Sequence, residues 1–270
     1  MTDLRGKNVL LTGGSRGIGP VIAGALAKQG AHLALAARSA QDLQTVASGL
    51  KDLGVKVITF PVDLADSAER RRLVAAVLEQ LGQIDILVNN AGLESAGAFL
   101  DLPWEVCEQT LQVNLAAPME LTQLALPDML RRKSGHIANI ASIAGKNGVP
   151  YEAVYCGTKA GLAEWTRALR LEYDGSGVHF STIFPGYVTE AGMFASFGVQ
   201  PPRQAGSCTP EQVARATVRA IERNQREVLV NSMPSRVALV LNEVSAELGD
   251  WWMHRMGIVE FQRMKVGQKR

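Results

Sequence analysis

Residues 8–20 read NVLLTGGSRGIGP, and the order of residue types in that stretch decides the fold. An apolar run ends at Thr12, glycines follow at 13, 14, 17 and 19, and Pro20 heads an amphipathic stretch. A short apolar run closed by glycines predicts a strand and a tight turn. Proline suits the first turn of a helix, where its missing N–H has no intrahelical partner to lose. The stretch therefore predicts strand, turn and helix. Glycines permit close backbone approach, and a helix start presents unsatisfied N–H groups. The turn Gly13, Ser15, Arg16, Gly17, Ile18 and Gly19 is thus a candidate cradle for a pyrophosphate.

The same alternation continues outward. Apolar runs HLALAA, VKVITF, IDILVNN, HIANIAS, VHFSTIF and EVLVN are separated by amphipathic stretches at 18–29, 40–53, 67–81, from about 103, at 152–173 and at 210–224. Strands alternating with helices imply a parallel sheet, and right-handed crossovers put helices on both faces and the ligand at the carboxyl ends of the strands. The expected fold is α/β: a single doubly wound, Rossmann-type domain over 1–233 with a seven-stranded parallel sheet, followed by a C-terminal amphipathic extension at 234–270.

Two segments break the regularity. Residues 187–208 interleave Gly and Pro with Met193, Phe194, Phe197 and Val199, and read as a substrate lid. In the tail, Val237, Val240, Leu241, Val244, Leu248 and Trp252 recur at helical spacing beside Trp251, with His254, Arg255, Arg263 and Lys265 following. Packing on the body or on a sister subunit is the favoured use of that stripe; covering the substrate mouth and contact with a membrane surface stay open.

Composition narrows the partners. A chain of 270 residues with 47% hydrophobic and 20% charged content buries a sizeable core, which rules out a disordered or fibrous protein. Its 28 basic and 26 acidic residues leave a formal charge of +2, too small for a nucleic-acid footprint, so a small molecule is the expected partner. Cys107, Cys156 and Cys208 are odd in number and lack a C-x-x-C pair, so neither a disulfide framework nor a metal site is indicated and a reducing cytoplasm is expected. No signal peptide is visible, and no run approaches the roughly eighteen apolar residues that a membrane span requires.

The spacing T-G-x-x-x-G-x-G at Thr12 to Gly19, the NNAG at Asn89 to Gly92 and the Y-x-x-x-K at Tyr155 and Lys159 resemble the short-chain dehydrogenase/reductase family, over nearly the whole chain to about residue 231. The resemblance implies that Asn90, Ala91 and Gly92 lie beside the adenosine half of a dinucleotide and that Asp63 and Leu64 sit near its adenine. It also implies that Pro185, Gly186, Val188 and Thr189 meet the nicotinamide end, Thr189 at the carboxamide. Asp63 has a bland alternative as a solvated loop acid, Asp66 and Glu69 have capping-box spacing, and Thr189 has an alternative as a helix cap. Family members are usually homo-dimers or homo-tetramers, so self-association is expected by resemblance.

Charge selects the nicotinamide cofactor. NAD enzymes place an acid about 20 residues past the glycines for the ribose 2′-hydroxyl, but the second strand here ends Ala36, Ala37, Arg38, Ser39. With no acid to repel a phosphate, and with Arg38 and Arg16 placed to clamp one, NADP(H) is the expected cofactor; the alternative is that both are merely solvated arginines.

By the same resemblance Asn114, Ser142, Tyr155 and Lys159 form the catalytic set. Tyr155 and Lys159 are four apart, on one face of a helix. A free phenol has a pKa of about 10, and proton exchange near neutrality asks for a lowering of about 3 units, or about 4 kcal/mol. An ammonium about 4 Å away at an effective dielectric of about 20 supplies about that much. Ser142 is expected to orient the substrate oxygen, and Asn114 to hold a water linking Lys159 to solvent. Tyr151 is expected to line the pocket, Cys156 to be a small inert helix residue, and His136 and His179 to be structural.

The expected function is an NADP(H)-dependent interconversion of a carbonyl and an alcohol on a lipophilic substrate. The lipophilic preference rests on the lid and on the tail, which departs from the V-D-G-G ending of many 3-oxoacyl reductases. Two alternatives stay open: a 3-oxoacyl thioester reductase, and a non-catalytic module that binds NADP(H) or works at a membrane surface.

Overall fold

In a computed structural model, residues 2–194, 199–202, 205–231, 239, 242 and 244–267 are described. All seven expected strands form: β1 (Asn8–Thr12), β2 (His32–Ala37), β3 (Val57–Pro61), β4 (Ile86–Asn89), β5 (Gly135–Ile140), β6 (Val178–Pro185) and β9 (Glu227–Val230). Between the last two lie β7 (Tyr187–Val188) and β8 (Ser207–Cys208), which pair only with each other. The main sheet is ordered β3-β2-β1-β4-β5-β6-β9 and is parallel throughout, with Asn8 opposite His32, Val9 opposite Ile86, and Ile86 opposite His136. The order reverses between β1 and β4, and a crevice opens outside the strand ends at such a switch point. Both the glycine turn and NNAG leave the sheet there.

Strand periodicity divides the core between two faces. Val9 and Leu11 of β1 face a cluster with Ile22 and Leu26 of α1 (Gly19–Lys28) and with Val213 and Ile221 of α7 (Pro210–Glu222). Leu10 faces the opposite cluster, with Leu73 and Val77 of α3 (Ser67–Leu81) and Leu121 and Met129 of α5 (Ala117–Arg132). Two further helices, α2 (Ala40–Gly49) and α6 (Ala153–Glu172), complete the winding, and α4 (Trp104–Leu111) precedes α5. The helix starts follow local chemistry: Ser39 caps α2 by accepting from Asp42 N–H, and Thr209 and Gln212 form a reciprocal capping box on α7. The D-x-x-E spacing at α3 is only half realised. Asp66 accepts from Ala68 and Glu69 N–H, but Glu69 turns instead to the N–H of Asp63.

The tail forms α8 (Ala246–Arg255) and α9 (Ile258–Gly267), separated at Gly257, whose φ of 68° ends the first helix. Val244 and Leu248 of the expected apolar stripe face solvent. Val237, Val240 and Leu241 of that stripe, Phe197 of the lid and the expected boundary at 233 and 234 lie outside the described residues. No helix among the described residues is long and apolar enough to cross a membrane.

Candidate active site

One cleft of about 660 Å³ runs along the carboxyl edge of the sheet. At one end it is lined by Gly13, Ser15, Arg16, Gly17, Ile18, Arg38, Asp63 and Leu64, in the middle by Asn90, Ala91 and Gly92, and at the other end by Ser142, Tyr155, Lys159, Pro185, Gly186 and Val188. Three expected site residues stay off its wall: Gly19, Asn114 and Thr189. Gly19 acts from beneath, because a Cβ there would lie 2.0 Å from the Gly13 carbonyl oxygen, so the turn closes only with glycine. Thr189 spends its N–H on the Cys208 carbonyl and caps no helix among the described residues.

The turn is laced to β4 by residues on both sides. Thr12 Oγ1 accepts from the N–H groups of Asn90 and Ala91 at 3.0 and 3.1 Å, and Asn90 Nδ2 donates to the carbonyls of Thr12 and Gly13 at 3.0 and 3.1 Å. Thr12 was not among the residues singled out, although it opens the very spacing that identified the turn. Asn90 Oδ1 is buried with no protein partner, which leaves an acceptor for a ligand on the cleft floor. Arg16 and Arg38 both line this end, are exposed, and have no acidic partner among the described residues. A narrow glycine cradle, a spare amide acceptor and two unpaired guanidinium groups fit a phosphorylated dinucleotide. Asp63 accepts from Ala65 N–H at 2.9 Å, so its carboxylate is held in the loop rather than merely solvated.

At the far end α6 carries Tyr155 and Lys159 on its buried face, together with Thr158, Leu162 and Thr166. The helix is keyed to the sheet by a buried polar chain in which Asn89 donates to Asn139 and Asn139 donates to Thr166, each at 2.8 Å. Ser142 follows the end of β5 by two residues and caps a single helical turn at Ile143–Gly145 by accepting from Ala144 N–H at 3.2 Å. A Cβ at Gly145 would lie 2.6 Å from the Lys159 carbonyl carbon, so this glycine lets the Ser142 turn touch α6. Asn114 sits fully buried in a π-helical turn, Gln112–Ala116, of the kind often found at functional sites. Its side chain donates to the Leu93 carbonyl and Thr158 Oγ1 and accepts from Leu93 N–H at 2.7 Å, tying the chain after NNAG to α6.

Lys159 Nζ donates to the Ile140 carbonyl at 2.8 Å and stands 5.8 Å from the centre of the Tyr155 ring; burial pulls its pKa down to about 8. The expectation that Lys159 lowers the phenol meets an opposite direction. Burial, and then the carboxylate of Glu94, push Tyr155 well above the ordinary phenol range; Glu152 adds to this, while a hydrogen bond with Ser142 works against it. The phenol is thereby held protonated. Cys156 packs beside it, accepts from Val149 N–H and is raised to about 11 by burial, as an inert thiol should be. His136 is buried against Ser181, in keeping with a structural role, whereas His179 of the same apolar register is exposed.

The rest of the substrate end comes from the extension. Trp252 and Met253 of α8 and Ile258 and Lys265 of α9 line the cleft, so the tail covers the mouth of its own subunit. Gln262 donates to Tyr187 OH at 2.9 Å, and Phe261 packs against Tyr187 and Phe194 with ring centres 6.0 and 6.2 Å away. Tyr151, expected on the pocket wall, lies outside the cleft; in a left-handed conformation with φ of 66°, it accepts from Arg263 of α9. Lys265 bonds Glu94 at 2.5 Å and also Glu152, and all three line the cleft. Neither acid stood out in the sequence, and no local spacing links them to a lysine more than a hundred residues away.

Known proteins resemble this chain in sequence and fold. The family model described as short chain dehydrogenase matches residues 7–200. The chain is 41% identical to Ketoacyl reductase HetN of Nostoc sp., over 98% of this chain and 94% of that protein. It is 32% identical to a Dehydrogenase/reductase SDR family protein 7-like of Anopheles gambiae, over 93% and 83%. Among solved structures, an actinorhodin polyketide ketoreductase with NADPH superposes with a TM-score of 0.78 at 31% identity, covering 85% of this chain and 97% of that one. An alcohol dehydrogenase of Thermococcus sibiricus complexed with 5-hydroxy-NADP gives 0.75 at 29%, covering 84% and 97%. With the family model spanning most of the chain and relatives matching it nearly end to end, the protein belongs to the short-chain dehydrogenase/reductase family.

Proposed function

We propose that the protein is an NADP(H)-dependent oxidoreductase that interconverts a carbonyl and an alcohol on a lipophilic substrate. The observation that carries this reading is a single cleft with an unpaired arginine pair at one end and Tyr155, Ser142 and Lys159 at the other. NADPH, when bound, supplies the hydride. Gly13, Ser15, Gly17 and Ile18 would hold its pyrophosphate, Arg16 and Arg38 its 2′-phosphate, and Asp63, Leu64 and Asn90 to Gly92 its adenosine. Pro185, Gly186 and Val188 would border the nicotinamide, beside Thr189, whose N–H is spent on the Cys208 carbonyl.

Tyr155 donates its proton to the carbonyl oxygen during reduction, and the raised phenol suits that role because the group arrives protonated. Ser142 Oγ, 3.5 Å from the Pro185 carbonyl, orients the same oxygen. Lys159, near neutrality at about 8, holds the proton that replaces the one given up, and Asn114 fixes the α6 face on which both sit. The apolar wall of Leu93, Val113, Phe194 and Trp252 supports the lipophilic substrate. The exposed Phe99, Leu100 and Trp104 support a homo-dimer or homo-tetramer, which light scattering checks.

A panel of carbonyls and alcohols followed by NADPH absorbance tests this reading; no oxidation across the panel contradicts it. A second reading, 3-oxoacyl thioester reduction, is favoured by the identity to Ketoacyl reductase HetN. Turnover of acetoacetyl thioesters well above that of free apolar ketones would select it.

A further inference from the structure

The Glu94–Lys265–Glu152 cluster is separate from the residues assigned to the dinucleotide, and Lys265 bonds both of its acids. Three distant parts of the chain build it. Glu94 follows Gly92 by two residues, Glu152 precedes Tyr155 by three, and Lys265 is delivered by α9. Their side chains are only 10, 7 and 1% exposed, yet all three line the cleft. Ionised together, they carry one surplus negative charge. The Lys265 ammonium already bonds both carboxylates and lies 5.7 Å from the Phe194 ring centre, so its donors are committed. Among the described residues lining this half the other cation is Lys159, which donates to the Ile140 carbonyl and which burial lowers to about 8, so at pH 8 it carries only part of a charge. Tyr187 OH accepts from Gln262, and the Cys156 thiol is raised to about 11, so neither adds positive charge. A carboxylate entering here would lose its water beside two carboxylates, whereas a neutral group would meet no such opposition.

Resting on the reading above, we infer that this cluster is a specificity-determining wall: the site takes carbonyl compounds that bear no charge beside the reacting group and turns away their carboxylate counterparts. The reading of function names the reaction; the wall names the class of substrate.

The test uses an isosteric pair, 4-oxooctanamide and 4-oxooctanoate, at pH 8, where Glu152, raised to about 7 by burial and by Glu94, is ionised. Binding is followed by NADPH fluorescence in the NADPH-loaded Tyr155→Phe protein, so no turnover is needed. The amide is expected to bind at least about 30-fold more tightly than the acid. Glu94→Gln, which removes the surplus charge, is expected to cut that gap to within about 3-fold, and Glu94→Gln with Glu152→Gln to reverse it. Should the double variant not fold, the single one decides. A loss of packing alone would weaken both ligands alike and leave the ratio unmoved. Equal binding of the pair, no binding of either, or a gap that survives Glu94→Gln overturns the wall. Wild-type oxidation of NADPH with the amide is measured in parallel: its absence alongside an intact binding gap would overturn the reading of function and leave the wall standing.

Discussion

The two ends of the cleft are built by different means. The glycine end is made by backbone: a turn closed at Gly13 and Gly19 and laced through Thr12 to Asn90, with Arg16 and Arg38 as its cations. The tyrosine end is made by side chains brought from β5, α6 and the C-terminal helices, with a buried ion cluster among apolar and aromatic residues. Backbone geometry is dictated by nearest neighbours in the chain, whereas a side-chain wall depends on partners far apart in sequence. The first end should therefore answer to single local changes in nucleotide affinity alone, and the second should move substrate properties while leaving the nucleotide untouched.

The largest effect is expected at the turn. Gly19→Val places atoms against the Gly13 carbonyl, and NADPH affinity should fall by at least about 100-fold, or about 2.7 kcal/mol, in a fluorescence titration. Retained affinity would mean that the turn does not carry the pyrophosphate. Arg38→Ala should weaken NADPH by about 10-fold or more and leave NADH unchanged; a variant whose preference between the two stays fixed would remove the charge argument for the cofactor. At the other end, Lys265→Met leaves a glutamate pair without its cation, of which one takes up a proton. Amide exchange over 258–267 should quicken, while NADPH affinity should change by no more than about 2-fold. A large loss of nucleotide affinity would show the two ends to be one unit.

The smallest effect lies beneath both ends. His136 is buried, and burial with the neighbouring His179 lowers its pKa from 6.5 to about 3. A base lowered in the folded state contributes stability that is fully present above about 6.5 and is lost as the pH falls toward about 3. Urea unfolding at pH 6 and pH 5 should differ by about 1 kcal/mol from this residue, and His136→Asn should flatten that difference. An unchanged slope in the variant would assign the loss to other groups.

The same contrast explains what was legible in the sequence. All seven strands of the sheet and the helices α1, α2, α3, α6 and α7 were readable from alternating apolar runs and glycine or proline stops, because period and turn chemistry are local, whereas α4 and α5 were read as one helical region from about 103. The cleft residues from Gly13 to Ile18 and Asn90 to Gly92 followed from one spacing each. The π turn at Asn114 was not readable, since the whole region from about 103 was taken as one helical stretch. Nor was the break at Gly257, where the tail folds back to present Lys265. Tyr151 was misplaced because neither its left-handed backbone nor its bond from Arg263 leaves a local mark, and the direction of the Tyr155 shift was not readable because burial, and then Glu94 and Glu152, set it. The Tyr151 and Tyr155 readings both turn on contacts between distant segments.

Single-turnover NADPH oxidation by Tyr155→Phe, with a ketone that the wild type reduces, bears most directly on the whole account. The rate should fall by about 1,000-fold or more while NADPH affinity stays within about 2-fold, because the phenol gives its proton in the reaction and is not needed to grip the nucleotide. A folded, NADPH-saturated variant that reduces the ketone at the wild-type rate would contradict it.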